Sequence, residues 1–215
     1  MSIQKVIGLM KNFILLLFFF YSTISFSQAV QSKILSQTEI IERDLDGGKF
    51  PIFKAYEYQD KGGVYELVLS ENQKVVSDKD TLNTKIEAIC YLNDHGGYIE
   101  KWKINDFVES AEVEETSIWF WTKYCSTQDL DDDGYIDPII VYGTKTDIDN
   151  LRRIKIITLY KNKKYVIRAV ECDLDYCRSF KKDKNWDLLP KKIKTYIDKL
   201  VVKIRKEQNV ILSDG

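Results

Sequence analysis

The chain has few histidines, prolines and methionines: one histidine (His95), three prolines and two methionines. A single histidine excludes a metal site with several histidine ligands. The sequence contains no Gly-x-Ser-x-Gly nucleophile motif, no phosphate-binding loop and no dinucleotide-binding glycine pattern. Acidic residues are plentiful, so a hydrolase with two catalytic carboxylates stays open, although no pattern singles out such a pair.

Positive charge is not in excess. The 32 Lys and Arg residues face 33 Asp and Glu residues, for a net charge of −1. A nucleic-acid-binding domain usually carries an excess of basic residues on one face. We therefore expect no nucleic-acid partner.

Long apolar runs are scarce, and the clearest one lies at residues 13–21, after Lys5 and Lys11. The small residues Ser25 and Ser27 then stand at the −3 and −1 positions of a cleavage site, so residues 1–27 are predicted to be a secretory signal peptide. The run is too short for a membrane-spanning helix of about 20 residues, and a retained N-terminal anchor is the alternative. We expect an exported protein, in the periplasm or at the cell surface, with no transmembrane segment after cleavage.

Four cysteines follow the predicted cleavage site: Cys90, Cys125, Cys172 and Cys177. An even number in an oxidising compartment favours disulfides. We expect Cys172–Cys177 to close a short loop and Cys90–Cys125 to link neighbouring strands. Four free buried thiols are the alternative, and a zinc site is disfavoured because there is no Cys-x-x-Cys pair.

Thirteen tyrosines and four tryptophans alongside few prolines indicate strands. Alternating segments predict four hairpins, at 54–69, 86–104, 117–143 and 154–170. We expect a mainly β, α+β fold: an antiparallel hairpin meander, either a curled sheet, a partial barrel or a sandwich. The predicted divisions are 1–27 signal peptide, 28–48 polar segment or short helix, 49–180 antiparallel β domain, and 181–215 C-terminal helix and tail.

The C-terminal segment has helical spacing of apolar residues. The stripe consists of Ile193, Tyr196, Ile197, Leu200, Val201 and Ile204. The opposite face is rich in lysine, which leaves two interpretations: a helix on a membrane surface, or a helix packed on the sheet with its lysines in solvent.

Residues 129–137, Asp-Leu-Asp-Asp-Asp-Gly-Tyr-Ile-Asp, are the most specific motif. Their spacing predicts a calcium loop of the EF-hand type. Its ligands are the side chains of Asp129, Asp131, Asp133 and Asp137 and the carbonyl of Tyr135. Asp132 is expected to point away. Position 12, a glutamate in EF-hands, is Ile140 here, so the loop is typical of shortened calcium loops in β-rich extracellular proteins. An acidic turn without an ion is the alternative.

Trp119 and Trp121 alternate with Ile118 and Phe120, so the two tryptophans share one face of a strand. If that face is exposed, it forms an aromatic surface for sugar rings or a protein partner, and Trp102 could extend it. The alternative is that both faces are covered.

The Tyr-x-Tyr-x-Asp-x-Gly-Gly pattern at 56–63 and the run Asp-Leu-Asp-Asp-Asp-Gly-Tyr-Ile-Asp-Pro-Ile-Ile-Val-Tyr-Gly at 129–143 accompany the signal peptide. This combination resembles a family of small exported Gram-negative proteins described as surface polysaccharide biosynthesis proteins, over residues 40–170 or so. The resemblance implies a role in making or displaying surface polysaccharide, and it carries no catalytic residues. The acidic run is also similar to integrin-type β-propeller loops, but a propeller needs several.

Two specific functions remain after these exclusions, and a secreted domain with a role outside both stays open. One is a calcium-stabilised, non-enzymatic accessory protein that binds glycan or an envelope assembly protein through its aromatic face. The other is an enzyme that acts on cell-surface glycan with a pair of carboxylates. An exposed tryptophan face without a cleft favours the first, and a cleft that holds two carboxylates favours the second.

Overall fold

The computed structural model describes residues 30–75, 81–109, 115–146 and 151–213. The predicted signal peptide at 1–27 lies outside these residues. Two antiparallel sheets and a C-terminal helix account for most of the described chain. The prediction of a mainly β, α+β fold is confirmed, and the two sheets form a sandwich rather than a closed barrel.

The strands are β1 Gln31–Ile34, β2 Ile52–Asp60, β3 Gly63–Glu71, β4 Lys74–Val75, β5 Thr81–Leu82, β6 Lys85–Asp94, β7 Gly97–Phe107, β8 Glu115–Phe120, β9 Ser126–Gln128, β10 Asp137–Thr146, β11 Arg152–Tyr160, β12 Lys163–Glu171 and β13 Ser179–Lys182. The first sheet has the strand order β1-β2-β3-β6-β7, and the second has the order β13-β12-β11-β10-β8, with β9 paired to β10. A two-stranded ribbon, β4-β5, stands apart.

All four predicted strand pairings are present: β2 with β3, β6 with β7, β8 with β10, and β11 with β12. In the β6–β7 turn, His95 and Gly96 both have positive φ, 51° and 85°. Those angles belong to a two-residue hairpin turn that matches the strand twist. The third pair is not a simple hairpin, because a 3₁₀ turn (Thr122–Tyr124), β9 and the acidic loop separate β8 from β10.

Each sheet has buried side chains on both of its faces. Along β10, Ile140 and Tyr142 enter the core between the sheets, while Ile139 and Val141 enter a second core beneath the C-terminal helix. This alternation follows from the two-residue period of a strand. A strand that is buried on both faces usually has a continuous apolar sequence. The Pro-Ile-Ile-Val-Tyr sequence of β10 is such a run.

A third core covers the outer face of the first sheet. It contains Leu35, Ile40 and Leu45 from the N-terminal segment. The short helix Gln37–Glu42 is capped by Ser36, whose side chain accepts from the Glu39 backbone amide while the Glu39 side chain accepts from Ser36. The segment predicted as polar, 28–48, therefore contributes β1, a capped helix and three core residues.

The C-terminal helix spans Lys191–Gln208 and buries Ile193, Ile197, Leu200, Val201 and Ile204 against the second sheet. Burying each such side chain contributes about 1.5–3 kcal/mol. The packed-helix interpretation is therefore confirmed. Within the described ranges, no helix is both long enough and apolar enough to cross a membrane.

One of the two predicted disulfides is confirmed, and the other is not. Cys172 and Cys177 form a disulfide with a Cα–Cα distance of 6.1 Å. The predicted Cys90–Cys125 bond is wrong, because both thiols are free. Cys90 lies in the first sheet with its Sγ 3.2 Å from the Tyr58 hydroxyl, and Cys125 follows the 3₁₀ turn with its Sγ 3.4 Å from the Val141 amide nitrogen. The two cysteines belong to opposite sheets rather than to neighbouring strands.

Candidate metal centre and the adjoining cleft

The acidic loop connects β9 to β10 and is folded by hydrogen bonds from its own backbone. Asp129 accepts from the amides of Asp133 (3.2 Å) and Gly134 (2.8 Å), and Asp133 accepts from the amide of Tyr135 (3.0 Å). Gly134 has a φ of 88°, a conformation that favours glycine. The loop thereby turns back on itself and gathers its carboxylates.

Three of the predicted ligands come together. One oxygen from each of Asp129, Asp131 and Asp137 lies within 4.8 Å of the others, so the group could hold a metal ion. Calcium lies 2.3–2.6 Å from its oxygen ligands, so two oxygens on one ion are at most about 5 Å apart. The spacing of the three carboxylates meets that limit.

Asp137 is the buried member of the group, with 1% of its surface exposed. Burial, together with the charges of Asp131, Asp133 and Asp129, raises the pKa of Asp137 to about 7, against a hydrogen bond from the Leu130 amide that lowers it. The carboxylate is thus held where its negative charge is unfavourable. A bound cation would remove that penalty.

The other predicted ligands are placed differently. Asp133 is not a member of the three-carboxylate group, and one of its oxygens lies 3.6 Å from the Lys161 ammonium. Tyr135 has a half-exposed ring, and the role of its carbonyl as a ligand stays a prediction. Ile140 is fully buried in the core between the sheets, so position 12 of the loop supplies no ligand. Asp132 points away as expected and pairs with Lys192.

Three lysines surround the loop but bind its outer side. The Lys61 and Lys192 ammonium groups donate to the backbone carbonyls of Asp133 (2.6 Å) and Asp131 (3.1 Å). The salt bridges of Lys161 and Lys192 reach Asp133 and Asp132. The lysines therefore fix the backbone and leave the oxygens of the three-carboxylate group facing one another.

Asp60 ties the loop to the first sheet, and sequence reasoning missed this role. One Asp60 oxygen accepts from the Ile136 amide at 3.0 Å, and the other accepts from the Gly62 amide at 2.6 Å. The Lys61 amide also donates to the Gly134 carbonyl at 3.1 Å. Asp60 and Lys61 are more than 70 positions away from Ile136 and Gly134 in the chain. Only the packing of the two sheets therefore reveals the link. The acidic Asp-x-Gly-Gly turn was the one available signal.

A cleft of about 360 Å³ opens beside the loop, where the β2–β3 and β11–β12 turns meet. Its volume falls within the range of small-ligand pockets. The residues that line it are Tyr58, Asp60, Tyr65, Lys101, Trp102, Asp133, Tyr135, Ile136, Asp137, Pro138, Leu159, Tyr160, Lys161 and Asn162. The cleft therefore shares Asp137 with the three-carboxylate group, and Asp133 with the rest of the acidic loop.

The predicted aromatic face is divided between two cores. Trp121 is buried and Trp119 half-buried beneath the C-terminal helix, with ring centroids 6.3 Å apart. A Cβ at Gly143 would lie 2.6 Å from the Trp121 ring, so glycine there makes room for it. Trp102 instead packs against the core between the sheets and lines the cleft. Of the two interpretations of the Trp119/Trp121 face, the structure therefore agrees with the one in which both faces of β8 are covered.

Comparisons with known proteins supply no functional assignment for this site. Neither the protein-family models, nor the curated proteins, nor the solved structures gave a match to this chain. The function is therefore argued from the acidic loop and the cleft.

Proposed function

We propose that this chain is an exported, calcium-stabilised, non-enzymatic accessory protein that acts in the synthesis or display of surface polysaccharide. The observation that carries the proposal is the convergence of Asp129, Asp131 and Asp137 around one point, with Asp137 buried. Export is supported by the signal-like sequence at 1–27 and by the Cys172–Cys177 disulfide, which suits an oxidising compartment. The polysaccharide role comes from the family resemblance of the 56–63 and 129–143 patterns.

Calcium suits this loop better than magnesium. Calcium accepts six to eight oxygen ligands in irregular geometry, including waters and carbonyls, whereas magnesium requires a near-ideal octahedron. The three carboxylates, Asp133 and the Tyr135 carbonyl would form part of that shell, with water in the place of a position-12 side chain. The ion would balance the negative charge that gathers around Asp137.

The bound ion would act as a tertiary clamp. The loop is tied to the first sheet through Asp60 and Lys61, to the β11–β12 turn through Lys161, and to the C-terminal helix through Lys192. A loop that becomes rigid on binding calcium would hold these elements together. This is a stabilising role that requires no chemistry at the metal.

Melting temperature tests the calcium step. After divalent ions are removed from the protein, adding calcium at 100 times its Kd should stabilise the fold by about 2.7 kcal/mol, which is about 5–10 °C for a chain of this size. Asp131→Asn should abolish the response. Asp132→Asn is a matched control, since it removes the same charge at the neighbouring position, and should preserve it. A wild-type protein that does not respond to calcium well above millimolar contradicts the proposal.

The cellular role is tested in a strain that lacks the gene. Its surface polysaccharide ladder should be altered, and wild type and Asp132→Asn should restore it while Asp131→Asn does not. An unchanged ladder in the deletion strain would remove the polysaccharide role. An envelope assembly protein as the direct partner would then be sought by crosslinking in the same strains.

The second candidate is a carboxylate-dependent enzyme that acts on cell-surface glycan, and the cleft favours it because Asp60, Asp133 and Asp137 line it together. Two observations favour the non-enzymatic role instead. Both oxygens of Asp60 accept backbone hydrogen bonds, and Asp137 accepts from Leu130, so these groups are engaged in holding the loop. Release of sugars from purified surface polysaccharide by wild type, and none by Asp60→Asn, would establish the enzyme.

A further inference from the structure

The charges of this chain are divided unevenly between the sheets and the C-terminal segment. Residues 178–208, which contain β13 and the C-terminal helix, have eleven Lys and Arg residues and four Asp and Glu residues, a net charge of +7. Residues 28–177 have 19 Lys and Arg residues and 28 Asp and Glu residues, a net charge of −9. The near-balance of the whole chain therefore conceals one strongly basic segment.

Part of this positive charge forms a row along the outward side of the C-terminal helix. Positions 191, 195, 199, 202 and 206 follow the three- to four-residue spacing of one helix face, opposite the buried apolar stripe. This basic row consists of Lys191, Thr195, Lys199, Val202 and Lys206, and all five side chains are exposed. At 1.5 Å of rise per residue the row is about 22 Å long, with a lysine about every two helical turns.

The three lysines of the basic row lack an acidic partner. Within the described residues, Lys191, Lys199 and Lys206 take part in no salt bridge, and the salt bridges of the helix use other positions: Lys192, Asp198 and Glu207. Like charges three or four residues apart destabilise a helix, and Lys203 lies four residues after Lys199 and three before Lys206. The charge of this face therefore does not stabilise the fold, and an anion from outside the chain would balance it.

The shape and surroundings of the basic row favour a linear anionic polymer over a membrane. A helix on a membrane surface buries its apolar side chains among the lipids, but here the apolar stripe is packed on the second sheet. Val202, with 60% of its surface exposed, is the one apolar side chain in the row. The acidic loop also adjoins the start of the helix, where Asp132 pairs with Lys192. A flat anionic surface would meet those carboxylates, whereas a chain that follows the row would meet lysines.

We propose that the basic row binds an acidic polysaccharide, with anionic groups of the polymer lying along Lys191, Lys199 and Lys206. The inference rests on the proposed function, because an exported protein that acts on surface polysaccharide meets such a polymer. It goes further by naming the surface that binds and the charge of the glycan. It does not involve the calcium ion or the cleft.

Binding of the full protein to immobilised carboxymethyl-dextran, with unsubstituted dextran of the same length as the neutral probe, tests the inference. In chelator and low salt, the protein should bind the acidic polymer about 10-fold more tightly than the neutral one, or better. Raising the salt from about 50 to about 200 mM should weaken that binding about 10-fold, because added cations compete with the lysines for the polymer. Equal binding of the two polymers would overturn the inference.

A triple variant locates the binding surface. Lys191→Gln/Lys199→Gln/Lys206→Gln removes the three unpaired charges and retains long polar side chains that suit a helix. It should keep the melting temperature of wild type, weaken binding to carboxymethyl-dextran about 10-fold and reduce its salt dependence. Unchanged binding in this variant would place the polymer elsewhere and overturn the inference.

A matched triple variant separates the basic row from the charge of the whole protein. Lys49→Gln/Lys85→Gln/Lys145→Gln removes the same number of charges at exposed positions outside the helix. It should bind carboxymethyl-dextran as wild type does. Equal weakening by the two triple variants would show that binding follows net charge alone, and would overturn the choice of the row.

Two other occupants of the row are tested with the same variants. Tighter binding to phosphatidylglycerol-containing vesicles than to carboxymethyl-dextran, lost in the triple variant of the row, would assign the row to a membrane and overturn the inference. A salt-sensitive dimer in sedimentation that the same variant abolishes would assign the row to a second copy of this chain, with the same consequence.

The failure of this inference is separable from that of the proposed function, because binding is measured in chelator. A protein that calcium stabilises but that does not bind the acidic polymer would retain the calcium clamp and lose the role of the basic row. A protein that binds the polymer through the row but that calcium does not stabilise would retain this inference and lose the clamp.

Discussion

Two groups of acidic side chains lie near opposite ends of β10, and they differ in whether the protein supplies them with positive charge. At one end, Arg153 donates to both carboxylate oxygens of Asp106 (3.0 and 2.9 Å) and to both of Glu115 (3.0 and 2.9 Å). At the other end, where β10 begins, Asp129, Asp131 and Asp137 face one another. The first group is neutralised by the protein itself, and the second is not.

The pKa shifts of the two groups have opposite signs. Burial alone would raise the pKa of Asp106 and Glu115, but the hydrogen bond from Lys155 to Asp106, that from Arg153 to Glu115 and the charge of Arg153 outweigh it, so both are lowered. Burial and neighbouring aspartates instead raise the pKa of Asp137 to about 7. The charge of a buried carboxylate in a cluster of like charge is disfavoured, and either a proton or a cation relieves it. The comparison thus identifies the acidic loop as the end where the proposed ion would relieve a charge penalty.

The largest effect is expected at the self-neutralised end. Arg153→Met leaves Asp106 and Glu115 buried without their main partner and should destabilise the protein by about 3–5 kcal/mol. Urea unfolding measures this loss, which should be the same with calcium and with chelator. Arg152→Met, at the next position, should cost less than about 0.5 kcal/mol. If calcium reversed most of the Arg153→Met loss, the two ends would not be independent.

At the acidic loop, removing a charge should stabilise the protein, whereas removing the Arg153 charge destabilises it. Asp137→Asn relieves the cost of a buried carboxylate, so in chelator at pH 8 it should stabilise the protein by about 2–4 kcal/mol, since one pKa unit corresponds to about 1.4 kcal/mol. The same change should abolish stabilisation by calcium. Urea unfolding in chelator and in calcium gives both numbers, with Asp132→Asn as the control. Destabilisation in chelator would show that the Asp137 carboxylate is favourable without an ion.

The pH dependence should separate the two ends further. The folded pKa of Asp137, about 7, lies above its ordinary value of 3.8, so the folded state binds this proton more tightly than the unfolded state. Its stabilising contribution is complete below pH 4 and is lost as pH rises to 7, by up to about 1.4 kcal/mol per pH unit. The lowered pKa values of Asp106 and Glu115 act oppositely: their contribution is lost as pH falls.

The difference in unfolding free energy between wild type and Asp137→Asn, measured in chelator from pH 4 to 8, isolates the Asp137 contribution. It should be small at pH 4, grow in favour of the variant up to pH 7, and then level off. Saturating calcium should remove the part of the wild-type pH dependence that comes from Asp137. A difference that stays constant with pH would contradict the raised pKa.

Local patterns in the sequence predict the parts of this structure that depend on neighbours in the chain. The hairpin pairs follow from alternation, and the meeting of Asp129, Asp131 and Asp137 follows from the spacing of the acidic loop. Long-range partners were not predictable in this way. Asp60 meets Ile136 only because the two sheets pack face to face, and alternation gave no means of deciding that Trp121 lies under a helix.

The cysteine error has the same cause. Cys90 and Cys125 were paired on the assumption that their strands are neighbours, but β6 belongs to the first sheet and Cys125 precedes β9 in the second. Cys172 and Cys177 are five residues apart, and a separation that short restricts them to one another. Sequence separation thus decided which of the two disulfides could be predicted.

The smallest effect is expected from the buried hydroxyl groups of Tyr56 and Tyr58, which both lie on β2. Tyr58 contacts the Cys90 thiol at 3.2 Å, whereas the buried Tyr56 hydroxyl has no hydrogen-bond partner within the described part of the chain. Tyr58→Phe leaves the Cys90 thiol without that partner and should cost about 0.5–1 kcal/mol, whereas Tyr56→Phe removes an unsatisfied group and should be neutral or stabilising. Both values, from urea unfolding, should be equal in calcium and in chelator. Tyr58 lines the cleft, so a Tyr58→Phe loss that appears only in calcium would mean that the clamp extends beyond the loop, into the wall of the first sheet.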